Sequence, residues 1–270
     1  MEFLGAQAEL HLLTDMHGNI GDHLIWAGTT DLLNSAGINY EPMSLHEVKD
    51  AHYPRSSLLI PGSGAFEQFW HEWLPDVVLQ ASNNFRKVIV LPSSFDSSVP
   101  VVARCLSQHN VFGFAREARS YRSMKAFGRA ALSFDCAVYY QKFTDGKCSD
   151  PRPMDDGALL LALREDKGSL LPLQGLAPNP SSNQDISLTK TNLDEWIDSI
   201  AQAESIVTDR LHVAVAGVLL GKRLTYLDPY RQKISTYFNY SFRDTFEERV
   251  KQCSLDWLLA NEFVIRSEVA

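Results

Sequence analysis

The chain has 270 residues, of which 45% are hydrophobic and 21% charged, a globular composition that excludes disorder. Its 33 acidic and 25 basic residues give a formal charge of −8, so it lacks the basic surface of a non-specific nucleic-acid binder. An acidic protein that handles an anionic substrate must cluster its cations locally, which directs attention to the arginines. Cys105, Cys136, Cys148 and Cys253 form no CxxC pair and the histidines show no metal spacing. Reduced thiols and no metal site are therefore expected. Residues 1–13 lack the basic start of a signal peptide, and no apolar run reaches the ~20 residues that span a bilayer, so a cytoplasmic location is expected.

Short apolar runs alternate with amphipathic ones, the pattern of helices layered on a mostly parallel sheet. Residues 9–14 read as a strand, running through the turn Gly18-Asn-Ile-Gly-Asp22 into a helix over 23–36 that Gly37 ends. Buried strands follow at 57–61, 87–91 and 111–115, trailed by the loops Gly62-Ser-Gly64 and Pro92-Ser-Ser94 and by a helix to Lys125. A fifth strand is expected over 132–137. Phe66, Phe69, Trp70 and Trp73 recur at three- and four-residue spacing, which reads as a helical core stripe or, alternatively, a sugar-stacking platform. Residues 144–156 lose all periodicity and mark a linker, giving domains over 1–147 and 148–270. The second repeats the alternation: a strand at 157–163, a Pro/Ser-rich surface loop at 177–183, a helix at 193–203, a strand at 205–208, a helix at 210–220 and a strand at 223–227. An amphipathic helix is expected over 245–259. The fold class is α/β, two Rossmann-like domains facing a cleft in a GT-B-like arrangement.

The segment Ile206-Val-Thr-Asp-Arg-Leu-His212 concentrates chemistry where a strand gives way to a helix. Asp209 stands at the expected helix N-cap, with Arg210 and His212 in the first turn, an anion-attracting position. The same pattern also fits a capped core helix with an incidental arginine and histidine. Asp22 is read either as an N-cap or as a group orienting an acceptor hydroxyl or His23. Gly18, Gly21, Gly62 and Gly64 allow close approach to a ligand or form ordinary tight turns.

Thr208-Asp-Arg-Leu-His212, with Gly221-Lys-Arg-Leu-Thr-Tyr-Leu-Asp228 beyond it, resembles the C-terminal signature of the polysaccharide pyruvyl transferases. Gly18-Asn-Ile-Gly-Asp22, Ala115-Arg-Glu-Ala-Arg-Ser-Tyr121, Asp135-Cys-Ala137, Leu163-Arg-Glu-Asp166 and Lys233 resemble further family motifs, in family order. Two departures are Pro61-Gly-Ser-Gly64, where relatives often carry three glycines, and Pro92-Ser-Ser94, where many carry Pro-Gln-Ser.

The resemblance implies transfer of pyruvate from phosphoenolpyruvate to a sugar diol of an exopolysaccharide or cell-surface glycan repeat, with no cofactor. The cyclic ketal forms and phosphate leaves. Recognising two anionic groups on a small donor needs converging cations, for which arginine is suited. Catalytic roles fall to His212 as general acid/base, Arg210 and Asp22, and donor or acceptor contacts to Arg116, Asp209, Gly21, Gly62, Gly64, Arg164 and Lys233. The expected partners are phosphoenolpyruvate and a lipid-linked saccharide acceptor, reached by peripheral association with the inner membrane face, and no nucleic acid. A nucleotide-sugar glycosyltransferase is the alternative, with Arg210 holding a diphosphate.

Overall fold

A computed structural model describes residues 9–50, 52–68, 70, 73–144, 158–169, 171–228, 232–242 and 249–266. The chain divides into two compact units, Met1–Gly18 with Ile25–Tyr140, and Asn19–Leu24 with Gln141–Ala270.

Up to residue 132 the elements follow in strict alternation: β1 (Leu10–Leu13), α1 (Ile20–Ser35), β2 (Glu41–Met43), α2 (Leu45–Asp50), β3 (Tyr53–Ile60), α3 (Leu74–Asn84), β4 (Phe85–Ser93), α4 (Pro100–Ser107), β5 (Val111–Ala115), α5 (Ala118–Met124) and β6 (Ala130–Leu132), with residues 20–24 of α1 belonging to the second unit. The strands pair in parallel in the order β2-β1-β3-β4-β5-β6. Runs such as Leu58-Leu-Ile60 and Val88-Ile-Val90 are apolar on both sides because both sheet faces carry a core. Leu58, Ile60, Val88 and Val90 enter the larger cluster, while Leu59 and Ile89 join Leu10, Leu12 and Leu33 in the other. The order reverses beside β1, and loops at the carboxyl ends of such strands are where α/β sheets bind ligands.

The second unit contains α6 (Gln141–Thr144), β7 (Leu159–Ala162), β8 (Leu176–Pro178), α7 (Ile186–Thr189), α8 (Leu193–Ala201), β9 (Ser205–Thr208), α9 (Leu211–Leu219), β10 (Arg223–Leu227), α10 (Lys233–Ser241), β11 (Val250–Cys253), α11 (Leu255–Ala260) and β12 (Val264–Arg266). Strands β11-β10-β9-β7 form a parallel sheet, and β8 pairs antiparallel with β12. Residues from Leu211 to Val218 of α9 are all buried, and a Cβ on Gly217 would lie 2.6 Å from Ile206 Cδ1 on β9. Glycine there lets the helix lie against its own strand. Among the described residues no helix is long and apolar enough to cross a membrane.

Several expected elements differ. The strand placed at 132–137 ends at Leu132, and Cys136–Tyr139 coils into a 3-10 turn capped by the Asp135 carboxylate. The aromatic run makes turns instead of a helix: Phe66 stacks on Phe95 at 4.8 Å and Trp73 precedes α3, while Phe69 lies outside the described residues. The surface loop expected at 177–183 is confined to 179–182, an exposed turn, since β8 reaches Pro178 and Asn183 bridges to Leu161. In the tail, residues 245–248 of the expected helix lie outside the described residues; among those described, Val250–Cys253 pairs with β10 and Leu255–Ala260 is helical. Cross-strand pairing, invisible to a 3.6-residue period, decides that segment. Residues 145–157, most of the expected linker, lie outside the described residues.

Candidate functional site

The turn before α1 is a reciprocal cap. Asn19 Oδ1 accepts from the Gly21 N–H at 2.9 Å, while Asp22 Oδ2 accepts from the Asn19 N–H at 3.1 Å and from Nδ2 at 2.9 Å. Helix α1 accordingly starts at Ile20, three residues before the expected start, and Asp22 stands inside its first turn, reaching back. Its other oxygen, Oδ1, lies 3.8 Å from Nδ1 of His212 in the first turn of α9. A Cβ on Gly21 would sit 3.2 Å from His212 Cβ and 3.0 Å from Asn19 Oδ1. The absent side chain is what lets the two first turns meet.

No side chain caps α9, whose N-cap is Arg210 and not the expected Asp209. Asp209 turns the other way, taking the Arg164 N–H on Oδ1 at 2.8 Å. Its Oδ2 is sequestered without a hydrogen-bond partner among the described residues. Burial pushes the Asp209 carboxyl above the usual range, against the opposing pull of the Arg164 charge and N–H and of the Arg210 guanidinium.

Arg210 is 3% exposed, and its Nη2 donates to Asp185 Oδ2 at 2.5 Å and Asp166 Oδ2 at 2.9 Å. Burial alone would lower its pKa, but Asp185, Asp166 and Asp209 hold it above the ordinary arginine value. Arg164 is 22% exposed, with Nε 3.4 Å from Asp166 Oδ1. Arg164 follows β7, His212 follows β9 and Lys233 opens α10 after β10. Parallel strands bring these three connections to the same edge of the sheet. Asp228 caps α10 by accepting the Ile234 and Ser235 N–H groups at 3.1 and 2.8 Å.

In the first unit Arg116 is 1% exposed and donates from Nη1 to Asp135 Oδ2 at 2.8 Å and from Nε to Ser94 Oγ at 2.9 Å. Burial works against its charge, and Asp135, Glu117 and Glu67 more than offset this, so its pKa lies above the ordinary value. The two serines of Pro92-Ser-Ser94 tie neighbouring loops together. Ser93 Oγ accepts from the Ser63 N–H at 3.0 Å, and the Ser94 N–H donates to the Ser63 carbonyl at 3.1 Å. A Cβ on Gly62 would lie 2.3 Å from the Pro92 carbonyl oxygen, so that glycine serves loop packing, and Gly64 lies in the bend that follows. The serine departures are thus part of an internal scaffold around Arg116.

A family model described as polysaccharide pyruvyl transferase matches residues 19–229. The chain belongs to the polysaccharide pyruvyl transferase family. It is therefore a transferase of polysaccharide pyruvylation, with a polysaccharide acceptor. The fold is shared with the solved structure of a functionally uncharacterised protein from Klebsiella pneumoniae, at 21% identity, a TM-score of 0.73, and 92% of this chain and 93% of that one covered. The Escherichia coli heptosyltransferase WaaC is 10% identical over 90% of this chain and 92% of that one, with a TM-score of 0.37. No curated protein sequence matches significantly.

The pyruvyl transferase motifs acquire physical roles on this scaffold. The glycine turn caps α1 and seats His212, and the Arg-Glu helix start and the Asp-Cys-Ala segment form one buried ion pair. Asp185 and Asn183, which hold the turn after β7, escaped the sequence reading because nothing in spacing links them to residues 20 and more positions away.

Proposed function

We propose that this pyruvyl transferase takes its pyruvyl group from phosphoenolpyruvate and leaves it on a sugar diol as a cyclic ketal. The donor methylene carbon gains a proton, and a first sugar hydroxyl adds to the central carbon. Phosphate then leaves with its bridging oxygen, and the second hydroxyl closes the ring. One hydroxyl proton balances the new methyl group and the other departs on phosphate. No redox step and no cofactor enter the sum.

The observation that carries this reading is the meeting of Asp22 and His212 in the first turns of two helices. Helix N-termini favour the donor's anions, and histidine is the side chain suited to moving protons near neutral pH. The imidazole takes a proton from the acceptor hydroxyl, and Asp22, facing Nδ1, steadies the resulting imidazolium. Their 3.8 Å separation fits a pair that tightens on substrate binding. Arg164, the more exposed arginine, and Lys233 supply the donor contacts. Arg210, committed to Asp166 and Asp185, holds the turn that carries Arg164.

The test is incubation of the protein with phosphoenolpyruvate and lipid-linked glycan precursors, scoring phosphate release and the ketal methyl signal by NMR. Both are expected with the native protein and lost with His212→Gln. Phosphate release without any new methyl signal would contradict the reading.

A further inference from the structure

Three consecutive backbone N–H groups after β7 each donate to a side chain. Leu163 donates to Asn183 Oδ1 at 2.8 Å, Arg164 to Asp209 Oδ1 at 2.8 Å, and Glu165 to Asp185 Oδ2 at 2.9 Å. Asn183 also returns Nδ2 to the Leu163 carbonyl at 3.0 Å. The same Asp185 oxygen takes Arg210 Nη2 at 2.5 Å. One carboxylate oxygen thereby fixes both the turn that carries Arg164 and the arginine before His212.

Asp185 does this at the expense of its local duty. It stands at the N-cap of α7, where aspartate ordinarily accepts from the helix N–H groups, yet its side chain makes no cap bond. Its side chain is 0% exposed, and its Oδ1 has no hydrogen-bond partner among the described residues. An unpaired buried carboxylate oxygen is costly, so a side chain held this way serves the contacts its other oxygen makes.

We propose that Asp185 is a positioning residue for the donor site: it locks the 163–166 turn to Arg210 so that Arg164 and His212 are presented together. This rests on the reading that the site takes phosphoenolpyruvate. Positioning and charge make opposite predictions. Replacing Asp185 by Asn adds one unit of net positive charge to the site, which on electrostatics alone strengthens binding of an anion. Loss of the lock weakens it.

The experiment compares the native protein with Asp185→Asn and Asn183→Ala by calorimetric titration with phosphoenolpyruvate and by amide hydrogen exchange. Asn183→Ala removes a clamp of the same turn without changing charge, and guards against a variant that fails to fold. Expected are faster exchange confined to residues 163–166 in both variants and a donor affinity at least about tenfold lower, as small misplacements of binding groups produce. Unchanged or tighter binding in Asp185→Asn overturns the proposal. So does unaltered exchange at 163–166, which decides the matter even if the native protein binds no phosphoenolpyruvate. That last result would fall on the donor assignment instead.

Discussion

Asp22 Oδ1 stands 3.8 Å from His212 Nδ1, although 190 positions separate the two in the chain. Two small features make the approach possible: the Asn19 side chain that holds the other Asp22 oxygen, and a glycine at position 21.

Gly21→Ala tests the second feature. The new methyl group would press on His212 Cβ at 3.2 Å and on Asn19 Oδ1 at 3.0 Å. Overpacking of this kind costs about 1–3 kcal/mol, and it displaces the histidine directly. Urea unfolding is expected to show that loss, and ketal formation is expected to fall more than stability does. Full activity in the variant would mean that the His212 position is not critical.

Asn19→Ala removes both the cap on Gly21 N–H and the Nδ2 donor to Asp22. A lost cap is worth about 1 kcal/mol in unfolding free energy. Asp22 keeps the Asn19 backbone N–H as a partner, so activity is expected to drop several-fold without vanishing. Steady-state assays of the purified variant check this.

Arg116 and Asp135 are buried at 1% and 0% exposure. Asp135→Ala takes the paired carboxylate from a buried guanidinium that keeps Ser94 as a partner, and losses of a buried pair run to about 3–5 kcal/mol. The double variant Arg116→Met, Asp135→Leu is expected to lose less than the sum of its two single changes. A denaturation series on the native protein, Arg116→Met, Asp135→Leu and the double variant decides, and full additivity of the two changes would argue against a coupled pair.

The parallel α/β pattern was legible in the apolar runs, because strands buried on both faces show few polar interruptions. His212 and Asp22 were legible individually, as chemistry-bearing residues at a strand-to-helix step and beside a glycine turn. Their contact was not, since it depends on packing between distant segments. The partners of Arg116 and Arg210 were hidden for a related reason: sequence shows a guanidinium after a strand, but not the carboxylates that fold over it. Asp209 misled as an N-cap because Arg164 N–H competes for its oxygen. β11 was hidden in a charged segment whose pairing with β10 overrides helical spacing.

Asp209 also gives a pH prediction. Burial raises its carboxyl pKa in the native state, so between the unfolded value of about 3.9 and the native value the folded protein binds more protons. Its contribution is complete below the unfolded value and is lost as pH rises through the native one. Asp209→Asn keeps an acceptor for the Arg164 N–H and removes this titration. Unfolding free energies of variant relative to native protein are expected to rise from pH 4 to neutrality, and a constant difference would contradict the assignment.

The donor is the central claim, and calorimetric titration tests it most directly. The native protein and Arg164→Ala would be titrated with phosphoenolpyruvate, in the presence of a lipid-linked glycan preparation, beside a panel of nucleotide sugars. The account predicts saturable binding of phosphoenolpyruvate that weakens strongly in the variant, and no binding of nucleotide sugars. Saturable binding of a nucleotide sugar, with none of phosphoenolpyruvate, would contradict it.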